Sequence, residues 1–258
     1  MTAPPRPTND AADGTRPGGP SSVDAFVAVY RLLLRSVATK GRLVAIAALS
    51  GVSVITAVVA HAHQSFHSLD NGTQYVSRNL VSLIPVAVLV FASATIGDLI
   101  EDGSLVYLWL RPIPARIHVL AAWAATISIV APLVLAPLVL ATAVIDPDAN
   151  LLVGATLAGL VAVATYGAIF VMGGIRFRRA LPWGLAYILI WEGFVASAGK
   201  SATKLAVRSY VGSILSHETG VPIKLADFSL VTGILVPIAM IMLALRYASR
   251  RLAKTDVA

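Results

Sequence analysis

The sequence predicts an all-α integral membrane protein. Six transmembrane helices are expected, with an amphipathic interfacial helix ahead of the first and short re-entrant helices ahead of the last. Composition is the first reason: 57% of the residues are hydrophobic and 13% charged, whereas soluble domains run near ~45–50% and ~25%. Mean hydropathy is +0.80. The second is a set of uncharged apolar runs at 43–69, 79–97, 117–145 and 151–175, near or above the ~18–20 residues that cross a bilayer as a helix. Less pure runs follow at 181–199, which holds one glutamate, and at 228–245. The runs do not alternate polar with apolar, which excludes a membrane β-barrel.

The third reason is where the charges fall. Assigning successive loops to alternate sides puts fifteen of the twenty Lys and Arg on one side, in the segments before residue 43, at 111–116, at 176–179 and after 245. Only Arg78, Lys200, Lys204, Arg208 and Lys224 fall on the other. Such an excess marks the cytoplasmic face, so both termini are expected there. The net charge of +7 is thereby read as topology, and no nucleic-acid partner is expected. The chain has no cysteine, which excludes disulfides, thiolate metal sites and cysteine nucleophiles.

Residues 1–20 hold five prolines and three glycines and read as a disordered tail, leaving 21–258 as the membrane domain. No signal peptide is expected, because the first apolar run follows this tail. Ser21-x-x-Asp24 has the form of a capping box. Beyond it Phe26, Tyr30, Leu33 and Val37 recur at helical spacing while Asp24, Arg31 and Arg35 take the opposite face. Residues 22–40 are therefore read as a helix lying on the cytoplasmic membrane surface, the alternative being a helical extension of the first span. Asp146-Pro147-Asp148-Ala149-Asn150 is a turn that makes the third and fourth spans an antiparallel hairpin. The stretch 200–227 is broken by Gly212, Gly220 and Pro222. It suits a pair of short helices dipping back into the membrane, which is tolerated when they are buried against protein.

Between the second and third spans lies the most ordered loop of the chain, Gly97-Asp98-Leu99-Ile100-Glu101-Asp102-Gly103-Ser104-Leu105-Val106-Tyr107-Leu108-Trp109-Leu110-Arg111-Pro112-Ile113-Pro114-Ala115-Arg116. Its start is acidic, its middle is short and amphipathic, and its end is basic and broken by prolines. The pattern Glu101, Asp102-Gly103-Ser104, Leu108, Arg111-Pro112 and Arg116 resembles the intracellular loop of ABC-2 type permeases, the membrane subunits of a group of ABC transporters. That family also has six spans, an amphipathic helix before the first and short re-entrant helices between the fifth and sixth, so the resemblance covers roughly residues 22–252. The sequence departs from the family pattern in the spacing of Pro112 and Arg116, and in Ala122-Trp123 where the family commonly has Gly-Lys.

The resemblance implies that 104–110 is a coupling helix seated in a separate cytoplasmic ABC ATPase subunit. Leu105, Leu108 and Trp109 would be apolar anchors, with Glu101, Asp102, Arg111 and Arg116 as a charged rim that fixes register. Pro112 and Pro114 would end the helix. It further implies a second permease copy, homodimeric or heterodimeric, in a bacterial inner membrane, and ATP with Mg handled by the partner. This chain is expected to hold no cofactor and not to be an enzyme. Ala198-Gly199-Lys200-Ser201 has the ending of a phosphate loop, but Phe194 stands where its first glycine belongs and no strand precedes it.

Glu192 is the sole acidic residue inside a run. It lies roughly 15 Å of helix from Pro182, near mid-membrane, where a charge costs ~2.5–3.5 kcal/mol on insertion scales. Three roles stay open: facing a translocation path, locking a dimer contact, or bridging to a neighbouring helix as a hydrogen-bonded strut. His61, His63 and His67 share neither a helical face nor a metal-ligand spacing and read as interfacial histidines. The expected function is thus that of a permease of an ATP-driven exporter. A stand-alone secondary transporter or channel-like protein is the alternative, against which stand the absence of an inverted repeat and the scarcity of intramembrane charge.

Overall fold

The computed structural model describes residues 21–62, 68–101, 113–177, 179–194, 200–224 and 228–254. These residues form helices and their connections, with no strand among them. In chain order they are α1 (Ser22–Val37), α2 (Lys40–Ala62), α3 (Leu69–Glu101), α4 (Ala115–Ile145), α5 (Ala149–Arg176), α6 (Ala180–Ala186, running on as a π-helix over Tyr187–Phe194), α7 (Lys200–Thr203), α8 (Val207–Thr219) and α9 (Leu230–Lys254). Five of them, α2, α3, α4, α5 and α9, are long and apolar enough to cross a membrane. The run expected as a further span, 181–199, is described as helix only to Phe194. The expected tail, 1–20, lies outside the described residues.

Local chemistry explains the helix ends. Ser21 Oγ accepts the Asp24 N–H at 3.2 Å and donates to the Asp24 carboxylate at 2.8 Å, so the serine half of the expected box caps α1. At the hairpin Asp148 accepts the Leu151 N–H at 3.0 Å and Asp146 accepts the Asp148 N–H at 3.2 Å, so three residues suffice to reverse the chain. Gly220 follows α8 at φ 67°, the left-handed turn that glycine adopts without a Cβ penalty. Within α4, Pro132 and Pro137 each remove an N–H from the ladder, and the helix widens to π geometry over Ala131–Leu135. Three threonine hydroxyls inside the helices are satisfied internally: Thr126, Thr142 and Thr165 each donate to the carbonyl four residues back at 2.7–2.9 Å, a low-cost arrangement where no water is available.

The α3 and α5 helices form the centre. Gly97 lies against Gly174, and a Cβ on Gly174 would stand 3.3 Å from the Ser93 carbonyl, so the two backbones touch. At their other ends Gly72 lies against Leu151 and Asp146. The two helices therefore run parallel, and the connections after Glu101 and after Arg176 leave from one end of the bundle. On the second flank α4 is pinned to α5 by Trp123 Nε1, which donates to the Ala164 carbonyl at 2.9 Å. The α2 helix is fastened to α3 through Ser53, which meets the Asn79 side chain, and through the Tyr75 hydroxyl, which donates to the Ser53 carbonyl.

The α1 helix is amphipathic as expected, with Ala25, Val29, Leu33 and Val37 buried. Its neighbour is protein: α1 packs chiefly on α4, and the Tyr30 hydroxyl donates to Ser128 at 3.0 Å. Ser128 stands roughly 20 Å along α4 from its first residue.

Candidate functional site

Glu192 is 1% exposed, and the structure supplies the donors that a carboxylate in such a place requires. Its Oε1 accepts the Tyr187 hydroxyl at 3.0 Å and the Val207 N–H at 3.0 Å, while Oε2 accepts the Arg208 N–H at 3.3 Å. Val207 and Arg208 are the first two residues of α8, whose own preceding residue, Ala206, offers no side-chain cap. The first N–H groups of a helix have no intrahelical partner, and their end of the helix carries positive partial charge. Glu192 is thus a capping carboxylate delivered from another helix. It joins α6 to α8 through contacts in which every partner donates, as suits a group whose two oxygens only accept.

The π geometry of α6 makes this possible. Residues five apart on an α-helix differ by about 140° in direction, so Tyr187 and Glu192 would look different ways. In the π-helical stretch Tyr187–Phe194 the turn closes near five residues, which stacks the two side chains on one face. An aromatic file continues inward: Tyr187 meets Phe170 edge-on at 6.0 Å, and Phe170 stacks on Tyr166 at 5.9 Å. Tyr166 lies within electrostatic reach of Glu192. The helix that is capped is itself enclosed, packing on α5, α9 and α3 with Tyr210, Val211, Ile214 and Leu215 buried.

Of the residues expected in the coupling loop, Arg116 is exposed in the first turn of α4. Glu101 ends α3, but its side chain lies outside the described residues. So do Asp102, Gly103, Ser104, Leu105, Leu108, Trp109, Arg111 and Pro112, which the described structure therefore does not bring together. His61 belongs to α2, whereas His63 and His67 are outside the described residues, among which no cluster suited to a metal ion occurs. Sequence reasoning missed Tyr187 and the backbone donors of Val207 and Arg208. The signal for the first was present as an aromatic five residues from the lone acid, but only under a π period.

No model of a known family matches the chain, and a search of curated proteins finds no match either. The class that fold and site define, among the described residues, is a multi-helix bundle with five membrane-capable helices and a buried carboxylate that caps α8 from α6.

Proposed function

We propose that the chain is the permease subunit of an ATP-driven ABC-type transporter of the ABC-2 kind, working as an exporter with a second permease copy and a separate cytoplasmic ATPase. The observation that carries the reading is the patterned segment from Glu101 to Arg116 set between two membrane-capable helices, α3 and α4. The order of elements is consistent with it: an amphipathic α1, a close α4–α5 hairpin, and short helices α7 and α8 before the last long helix. On this reading 181–199 is a further span, α1 enters from the cytoplasmic face and packs along α4, and α7 and α8 enter from the outer side without crossing. Both termini and the connections at 102–112 and 177–179 face the cytoplasm of a bacterial inner membrane. Closure of the ATPases on ATP and Mg would push on 104–110 and rock the bundles, with Glu192 holding α6 and α8 together as they move.

The absence of cysteine makes the topology directly measurable. Ser104→Cys should be inaccessible to an impermeant thiol reagent in intact cells, and Lys224→Cys should be labelled. The coupling claim is tested by purifying the tagged chain from its native membrane: an ATPase subunit should accompany it. Leu108→Asp, which sets a charge in the apolar contact, should abolish that association while insertion stays normal. External labelling at residue 104, or an ATPase retained by the Leu108→Asp chain, would overturn the proposal.

A further inference from the structure

At the end of the bundle where Gly72 meets Leu151 and Asp146, a cavity of about 430 Å³ opens between α3, α8 and the connection to α9. Its size falls in the ~300–1,000 Å³ typical of small-molecule sites. Arg78 enters it from α3, Arg208 from α8 and Lys224 from the connection, with Gln74 and Ser77 alongside. Among the described residues no carboxylate lines it. The same three elements add apolar residues to its lining, Leu80, Val211 and Ile223.

Two features of this arrangement ask for an anion. The chain places only five basic residues on this side by the loop count, and three of them line one concavity; Arg208 is within electrostatic reach of Glu192, whereas Arg78 and Lys224, both exposed, are like charges that repel. Arg78 is also the last charged residue of α3 before the uncharged run 79–97, a position from which a long basic side chain can reach the headgroups. A cavity lined by both basic and apolar residues matches an amphiphile with its charged head at the basic groups. Arginine forks match phosphate oxygens in pairs and lysine adds a mobile point charge. Basic pockets between membrane helices hold anionic headgroups in the same manner.

We propose that this cavity binds a phosphate-bearing headgroup of net negative charge, with Arg78 and Lys224 as its principal cationic contacts and the partly buried Ile223 nearest the attached chain. The site needs only a membrane-embedded chain and is independent of whether an ATPase docks. Arg208 is left unaltered in the test, because its backbone already serves the Glu192 cap. Arg78 and Lys224 are both exposed, so their replacement leaves packing alone.

The experiment is native mass spectrometry of the full chain, purified in detergent and supplied with phosphatidylglycerol, phosphatidylcholine or inorganic phosphate. The wild type should retain phosphatidylglycerol over phosphatidylcholine. The pair Arg78→Gln and Lys224→Gln should weaken that retention roughly tenfold or more, as expected when charged hydrogen bonds are lost. The pair Arg246→Gln and Arg250→Gln, exposed in the last turns of α9, removes equal charge and should leave retention intact. Displacement of the lipid by inorganic phosphate would assign the site to phosphate itself; failure to displace it would assign it to a lipid head whose chain contributes. Unchanged retention in Arg78→Gln/Lys224→Gln, or equal loss in both pairs, would overturn the proposal.

Discussion

The central pair α3–α5 and the peripheral helices α2 and α9 are all apolar enough to cross a membrane, yet they are built on opposite terms. The most hydrophobic stretch of α2 has a mean hydropathy of 2.4 and is 22% buried, while that of α3 has 1.7 and is 61% buried. Likewise α5, at 1.9, is 61% buried, and α9, at 2.0, only 17%. In a soluble protein the more apolar helix would be the more enclosed. Here the order is reversed, as it must be where the solvent is itself hydrocarbon: burial gains nothing from apolarity, and helices associate through close packing and hydrogen bonds. The α5 face shows the means, with Gly154, Ala158, Gly159, Ala162 and Gly174 buried. On α2 and α9 Val44, Ile55, Met242 and Leu243 stand exposed, and such side chains need only lipid or another apolar surface.

The largest effect expected from breaking this contrast is at the cap. Glu192→Leu strands the Val207 and Arg208 N–H groups and the Tyr187 hydroxyl, at about 1–3 kcal/mol for each buried donor left unmade. The unfolding midpoint of the purified chain in detergent should fall steeply, and Glu192→Gln should lie in between, since its amide nitrogen opposes one donor. A midpoint unmoved by Glu192→Leu would show that the cap carries no stability.

Next comes the backbone contact. Gly174→Leu must force α3 away from α5 and should cost about 1–3 kcal/mol, read from the same midpoint. A Cβ at Gly173, one position earlier, or at Gly51 on α2 would meet nothing within 4 Å, so Gly173→Ala and Gly51→Ala should stay within about 0.5 kcal/mol of wild type. Equal losses at Gly174 and Gly51 would erase the distinction between centre and periphery.

The smallest is Trp123→Phe, which removes the donor to the Ala164 carbonyl but keeps most of the ring. About 1 kcal/mol is expected, together with faster exchange of amide hydrogens near Ala164. No change in either quantity would leave the α4–α5 contact to packing alone.

Much of this was legible in the sequence, and the reason is local. Long uncharged runs become helices because a chain in hydrocarbon must satisfy its backbone within the segment, and the runs at 79–97, 117–145 and 151–175, with 43–69 as far as Ala62, did so as α2 to α5. The capping box at Ser21 and the turn at 146–148 depend on residues three apart or fewer, so their side chains could be read directly. Glu192 stood out because one acid in an apolar run needs partners, but the partners could not be named. Two of them are backbone N–H groups fifteen and sixteen residues away, and a backbone donor leaves no mark in a pattern of side chains.

The same limit applies to α1. A helical apolar stripe is satisfied equally by lipid or by a neighbouring helix, and here α4 covers it, with Tyr30 bonded to Ser128. Nor could the period of α6 be foreseen, since its apolar residues suit α and π turns alike and Tyr187 faces Glu192 only in the second. The sequence by itself determined which segments are helical and which ends are charged, because these follow from each segment's contact with its solvent. Which helix faces another, which cations share a cavity and what meets the buried carboxylate were decided by the tertiary structure, because those contacts join residues far apart along the chain.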